Sequence, residues 1–332
     1  LPSHDRGGFL STRFGLIAIA FGGSAVIALV AYFGVRTVGV GVLQAGWAIP
    51  FTTALLFLEL WLSALAWRLL AGADRPRLGR WWRIRWIREA VNSLLPTAQL
   101  GGNIVGVRLL VQRGVPGSQA GAGTVLDLTI EAATQLLFTI AGFTVLAVVR
   151  PGGNWMAWVQ GAIVVSAFGV GGFVMAQRAG LLRLIGAAAT RLQRWFPNLP
   201  VRVVQDLHGE LMRLYGRWRA IGEASALHLL AWVLGTAECW LILAAMGAPV
   251  TWEQAFVIES LGQTARSVGF AVPGALGVQE AGFILICGLF GIHPGTAIAL
   301  SMVKRVRELA VGLPGLIAWQ WAEGKRLLRH AT

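Results

Sequence analysis

The sequence predicts an all-α polytopic membrane protein, with about six transmembrane helices plus two re-entrant helical hairpins in an inverted-topology repeat. Three observations support this. The 332-residue chain is 56% hydrophobic and only 13% charged, with mean hydropathy +0.66. Soluble domains run at roughly 45–50% apolar and about 25% charged. The apolar residues gather into runs long enough to cross a bilayer, and two further apolar stretches are broken by proline and glycine. A soluble catalytic domain needs a long polar block, and none is present, so the chain reads as one transmembrane domain and not as an enzyme.

Residues 14–35 carry no charge and are long enough for a ~30 Å hydrocarbon core at 1.5 Å per residue. Residues 47–67 form a second span, interrupted only by Glu59. Residues 68–88 are basic and rich in tryptophan (Trp81, Trp82, Trp86), the pattern of an interfacial helix on anionic lipid. Residues 89–113 are weakly apolar and broken at Leu95-Pro96, Gly101-Gly102 and Gly106, which favours a re-entrant hairpin over a continuous span. Residues 118–149 and 155–176 are further spans, the first holding Asp127 and Glu131.

The segment 177–223 is basic, with apolar residues at helical spacing, as in amphipathic helices on the cytoplasmic surface. Residues 225–246 span with Glu238 inside. Residues 256–292, carrying Glu259, Arg266 and Glu280, break at Val272–Gly277 into arms too short to cross, hence a second hairpin. The last span, 296–321, contains Lys304, Arg305, Arg307 and Glu308.

The formal charge of +13 concentrates in segments flanking apolar runs, the positive-inside pattern and not a nucleic-acid footprint. It places both termini and the segments 68–88 and 177–223 in the cytoplasm. The N-terminal residues lack the pattern of a cleaved signal peptide. Cys239, Cys287 and the histidines show neither pairing nor metal spacing, so no cofactor or metal is expected.

Residues 47–149 and 225–321 match at an offset of about 177. Pro96 falls on Pro273, Asn103 on Glu280, Glu89 on Arg266, Asp127 on Lys304 and Glu131 on Glu308, while Glu59 lands near Glu238. One repeat begins outside and the other inside, so their topologies are inverted. Transporters of that kind bind substrate near the midplane, between discontinuous helices. Charges at membrane depth are costly and mark a transport path or a partner. Lys304, Arg305, Arg307, Arg266, Asn103 and Glu280 are the candidate substrate contacts. Asp127, Glu131, Glu308, Glu59 and Glu238 form the candidate charge network, through which movement is either downhill or coupled to protons or membrane potential. Arginine gives a forked contact to phosphate and lysine a point charge, and a structural ion-pair network among these groups is the competing reading. Glu280 is expected to cap backbone N–H groups at the second break, and Arg266 to pair with Glu89 or Glu259.

Three blocks carry a family resemblance: Asn92-Ser93-Leu94-Leu95-Pro96-Thr97-Ala98-Gln99-Leu100-Gly101-Gly102-Asn103 with the following Ile104–Arg108, Val272–Glu280, and Val303-Lys304-Arg305-Val306-Arg307-Glu308-Leu309. In these blocks the chain resembles the flippase-like family of the lysylphosphatidylglycerol synthase transmembrane region, and most closely its hopanoid-biosynthesis-associated branch. The resemblance implies an integral protein of the bacterial inner membrane that moves a polar lipid between leaflets. It implies no cofactor, and as partners an anionic phospholipid, a lipid-linked phosphate or a hopanoid. Transfer chemistry in that family belongs to a soluble C-terminal domain, so only the lipid-moving part is expected here. Asn103 departs from the glutamate usual at that position, which breaks the symmetry with Glu280. A head-group transferase component and a non-transporting scaffold for a lipid-biosynthesis complex are the alternatives.

Overall fold

The computed structural model describes residues 35–72, 76–95, 100–152, 167–180, 201–269 and 275–330, with residues 157, 160, 161 and 164 between. The described residues form helices and connecting turns. The expected span 14–35, almost all of it, and much of 155–176 lie outside the described residues. So do Pro96 and Pro273 at the two breaks.

Helix α1 (Val35–Gln44) runs through a 3₁₀ turn (Ala45–Ala48) into α2 (Ile49–Ala71). Pro50 sits in the first turn of α2, where a missing N–H costs nothing. Gly72, at φ +63°, closes α2 by donating to the Arg68 and Leu69 carbonyls. Helix α3 (Leu78–Leu94) stops at Leu95, which is extended as residues before proline are. Then follow α4 (Gly101–Val111) and the long α5 (Gly117–Val149). A π-helical turn (Ala167–Gly171) leads into α6 (Gly172–Arg178), and α7 (Val201–Tyr215) packs on α5. Helix α8 (Trp218–Ala245) precedes α9 (Trp252–Val268), whose first turn is closed by reciprocal Thr251–Gln254 hydrogen bonds. Helices α10 (Val278–Gly288) and α11 (Pro294–His330) complete the chain.

Three helical stretches, Gly39–Ala71, Gly117–Val149 and Trp218–Ala245, are long and apolar enough to cross a membrane. This is a multi-pass, all-α membrane protein. Helices α4 and α10 are apolar but have 11 residues each, about 16 Å at 1.5 Å per residue and half a hydrocarbon core.

Helices α4 and α10 start at 101 and 278 and end at 111 and 288, and α5 and α11 start at 117 and 294. Each pair of numbers differs by 177. The packing follows the same spacing: α3 lies on α11, α5 lies on α9, and α2 lies on α8. Exchanging the two halves turns the first contact into the second and the third into itself.

Three apolar clusters anchor this bundle. One joins α8–α11, around Ile242, Ile258, Phe283 and Val303. Another joins α2–α4, around Trp67, Trp81, Ile87 and Leu110. The third, with Leu70, Leu126 and Leu214, fixes α7 against α2, α5 and α8. Cys239 and Cys287 are buried free thiols in the first.

One expectation is corrected here. The basic segment 68–88 is not wholly an interfacial helix: one face of α3 turns inward, and Trp81, Arg85 and Arg88 are buried. Ile84, Ile87 and Val91 supply the apolar contacts that hold it there.

Candidate functional site

Arg85 and Arg88 are three residues apart on α3, and Asp127 and Glu131 four apart on α5. Each pair therefore shares a helix face. The faces meet. Arg88 Nη1 lies 2.6 Å from Asp127 Oδ2, and Arg85 Nη2 lies 2.7 Å from Glu131 Oε1. Arg85 also reaches Asp127 at 3.4 Å, and His228 of α8 comes within 3.2 Å of the other Asp127 oxygen. The Arg88 guanidinium stacks 4.9 Å from the Trp67 ring centre. Asp127 is 0% exposed, so its charge is held entirely by these neighbours.

A second network joins α8, α9 and α11. Lys304 Nζ lies 2.9 Å from Glu238 and 2.8 Å from Glu259, and Arg307 lies 2.5 Å from Glu238. Gln263 donates to Glu259 at 2.9 Å. Arg266 pairs with Glu308 and donates to Gln279 at 3.0 Å. Glu280, at the start of α10, accepts from the Gly277 N–H at 2.7 Å, from Ser301 at 2.8 Å and from Arg305 at 2.7 Å. The expected cap is present.

Between the networks lies a cavity of about 430 Å³. The first half contributes Glu59 of α2, Arg85, Arg88 and Glu89 of α3, Asn103 of α4, and Glu131 and Gln135 of α5. The second contributes His228, Gln263, Arg266, Arg307 and Glu308.

Of the residues singled out in the sequence, Arg307, Arg266, Asn103, Glu131, Glu308 and Glu59 line the cavity. Lys304, Arg305, Glu280, Glu238 and Asp127 stand behind its wall in the ion pairs just described. The pairing differs from expectation. Asp127 and Glu131 hold α3 arginines, not the cations of α11, and Arg266 takes Glu308, not Glu89 or Glu259. Sequence reasoning missed Arg85, Arg88 and His228. The signal was there: two acids at helical spacing in an apolar run require cations, and the same half of the chain offers a matching pair in α3.

The chamber wall is balanced in charge. It carries four carboxylates (Glu59, Glu89, Glu131, Glu308) and four guanidinium groups (Arg85, Arg88, Arg266, Arg307). Behind them Asp127 faces Arg88, while Glu238 and Glu259 face Lys304. Among the described residues, Glu59 and Glu89 make no ion pair, whereas every other carboxylate here does.

The profile of the family described as the lysylphosphatidylglycerol synthase TM region matches residues 15–315. No curated protein and no solved structure matches the chain.

Proposed function

The chain belongs to the family of the lysylphosphatidylglycerol synthase transmembrane region, and on that premise we propose that it carries a lipid head group between leaflets through the cavity shared by its two halves. It does so without covalent chemistry, as an integral protein of a bacterial inner membrane with cytoplasmic termini. The carrying observation is the cavity itself: a charged chamber inside an apolar bundle, with both halves in its wall.

The recurrence of helix ends and contacts at a spacing of 177 supports two inverted repeats. The break between α3 and α4, and that between α9 and α10, then make re-entrant hairpins entering from opposite faces. Substrate at the interface of such repeats is reached alternately from either side as one repeat rocks against the other. The tails stay in the surrounding lipid. Arg307 and Arg85 offer forked donors for a phosphate, while Glu59 and Glu89 offer acceptors for an ammonium. That balance favours a head group carrying both charges over a purely anionic one, and a hopanoid qualifies only where it bears such a group.

The test is a leaflet-accessibility assay in proteoliposomes containing labelled phospholipids with and without an amine. Protein-dependent movement is expected, falling at least tenfold in Arg307→Gln and within twofold of wild type in Arg305→Ala, whose side chain stands outside the cavity. Equal rates in empty and protein-containing vesicles overturn the proposal.

A further inference from the structure

Glu59 is the odd charge of the second network. It lies within electrostatic reach of Glu238, Glu259, Lys304 and Arg307, three carboxylates against two cations. The two cations are already committed: Lys304 touches Glu238 and Glu259, and Arg307 touches Glu238, all within 2.9 Å. Glu59 makes no hydrogen bond or ion pair among the described residues, and its Oε1 is buried without a partner. Arg307 is 5% exposed, lines the same cavity and leaves its Nε unpartnered. The other charged groups on helices packed around α2 are satisfied elsewhere. Arg85 and Arg88 of α3 hold Asp127 and Glu131 of α5, His228 of α8 meets Asp127, and Arg266 of α9 holds Glu308 of α11. Glu89 has two arginines, Arg85 and Arg266, within electrostatic reach. Glu59 differs from Glu89 in having a carboxylate oxygen buried without a partner and two further carboxylates, Glu238 and Glu259, within electrostatic reach. A lone carboxylate in such a place takes a proton sooner than stay charged.

We propose that Glu59 is the proton-binding site of the cavity, and that an ammonium group on an incoming lipid takes the place of that proton. The inference rests on the lipid-transport reading and names its coupling ion. The exchange is balanced. The Glu59 O–H bond breaks, its electron pair stays on the carboxylate, the ammonium pairs with that oxygen, and the proton leaves through cavity water. The head group brings its phosphate with its ammonium, so the charge of the chamber falls by the one proton released; proton and ammonium exclude each other at Glu59, so head group and proton travel in opposite directions.

The experiment uses the full chain in phosphatidylglycerol nanodiscs, titrated with short-chain phosphatidylethanolamine or, as the amine-free control, short-chain phosphatidylglycerol. A pH dye in weak buffer is expected to report about one proton released per ethanolamine lipid bound, none with the control, and none in Glu59→Gln. Because binding releases a proton, affinity for the ethanolamine lipid is expected to rise with pH, by up to about tenfold per unit. Infrared spectroscopy of the empty protein is expected to show a protonated carboxyl band that Glu59→Gln removes, a readout independent of transport. Binding without proton release, release that persists in Glu59→Gln, or no such band refutes the site. Lipid movement with no proton release spares the transport reading. A protonated Glu59 in a protein that moves no lipid refutes transport alone.

Discussion

Asp127 illustrates how completely single residues depend on their neighbours in this interior. It is fully enclosed, and Arg88, Arg85 and His228 all point at its two oxygens. Replacing one partner of such a pair strands the other as a buried charge, at a cost of about 3–5 kcal/mol. Asp127→Asn is expected to lose stability on that scale in a detergent-unfolding titration. Lys304→Met is expected to do the same by leaving Glu238 and Glu259 face to face, and adding Glu259→Gln should recover part of the loss, a coupling that a double-mutant cycle measures. The acids and the α11 cations were legible in the sequence because charge in an apolar run is conspicuous. Their partners were not, because pairing depends on how α3 is rotated and sunk. An arginine in a basic segment reads the same whether it faces lipid or protein.

At the scale of the element, the two broken helix pairs show a shared plan with different fastenings. Gly277, at φ +82°, starts α10, and its N–H is taken by Glu280. At the corresponding turn of α4 the Gly102 N–H is taken instead by Asn92 of α3. Asn103 stands where Glu280 stands in the other half. Glu280→Gln is expected to keep the cap and lose the Arg305 ion pair. Glu280→Ala loses both, with about 1 kcal/mol of additional destabilisation and faster hydrogen exchange at the Gly277 amide. Gly102→Ala puts a Cβ 2.1 Å from the Arg88 carbonyl, so α4 must shift. Overpacking of this kind costs about 1–3 kcal/mol, and it should appear as a lowered unfolding midpoint. Proline and glycine made both breaks legible in sequence. The length of α3 was not, because its first turns are too polar to resemble one arm of a hairpin.

For the whole molecule, the informative surfaces are the two seams between halves. Along α5 and α9, Gln135 donates to Ser267, and Thr139 and Thr264 share a hydrogen bond of 2.8 Å. A Cβ on Gly142 would sit 1.9 Å from Ser260 Oγ. Along α3 and α11 the seam is closed by small residues and by Trp86, which donates to the Val311 carbonyl at 2.7 Å. There a Cβ on Gly315 would sit 2.6 Å from that of Ala90. In the transport cycle we propose, rocking of one half against the other slides one seam or both. A cysteine pair at Gln135 and Ser267 is expected, once oxidised, to stop lipid movement in vesicles, and reductant should restore it. The spacing of 177 was visible from a handful of matched residues, and element order followed from it. Which half leans on which did not, since contacts between distant helices leave no periodic trace.

The buried arginines of α3 also say something about how the protein is made. Their acid partner Asp127 lies 39 and 42 residues further along the chain, so α3 leaves the ribosome before that carboxylate emerges to receive it. An arginine at the centre of a lone membrane helix costs at least about 2.5–3.5 kcal/mol. This helix therefore has to wait beside the translocon, in water or among head groups, until α5 is delivered. Insertion is out of step with synthesis, and the nascent chain commits to its final threading only when the later acids arrive.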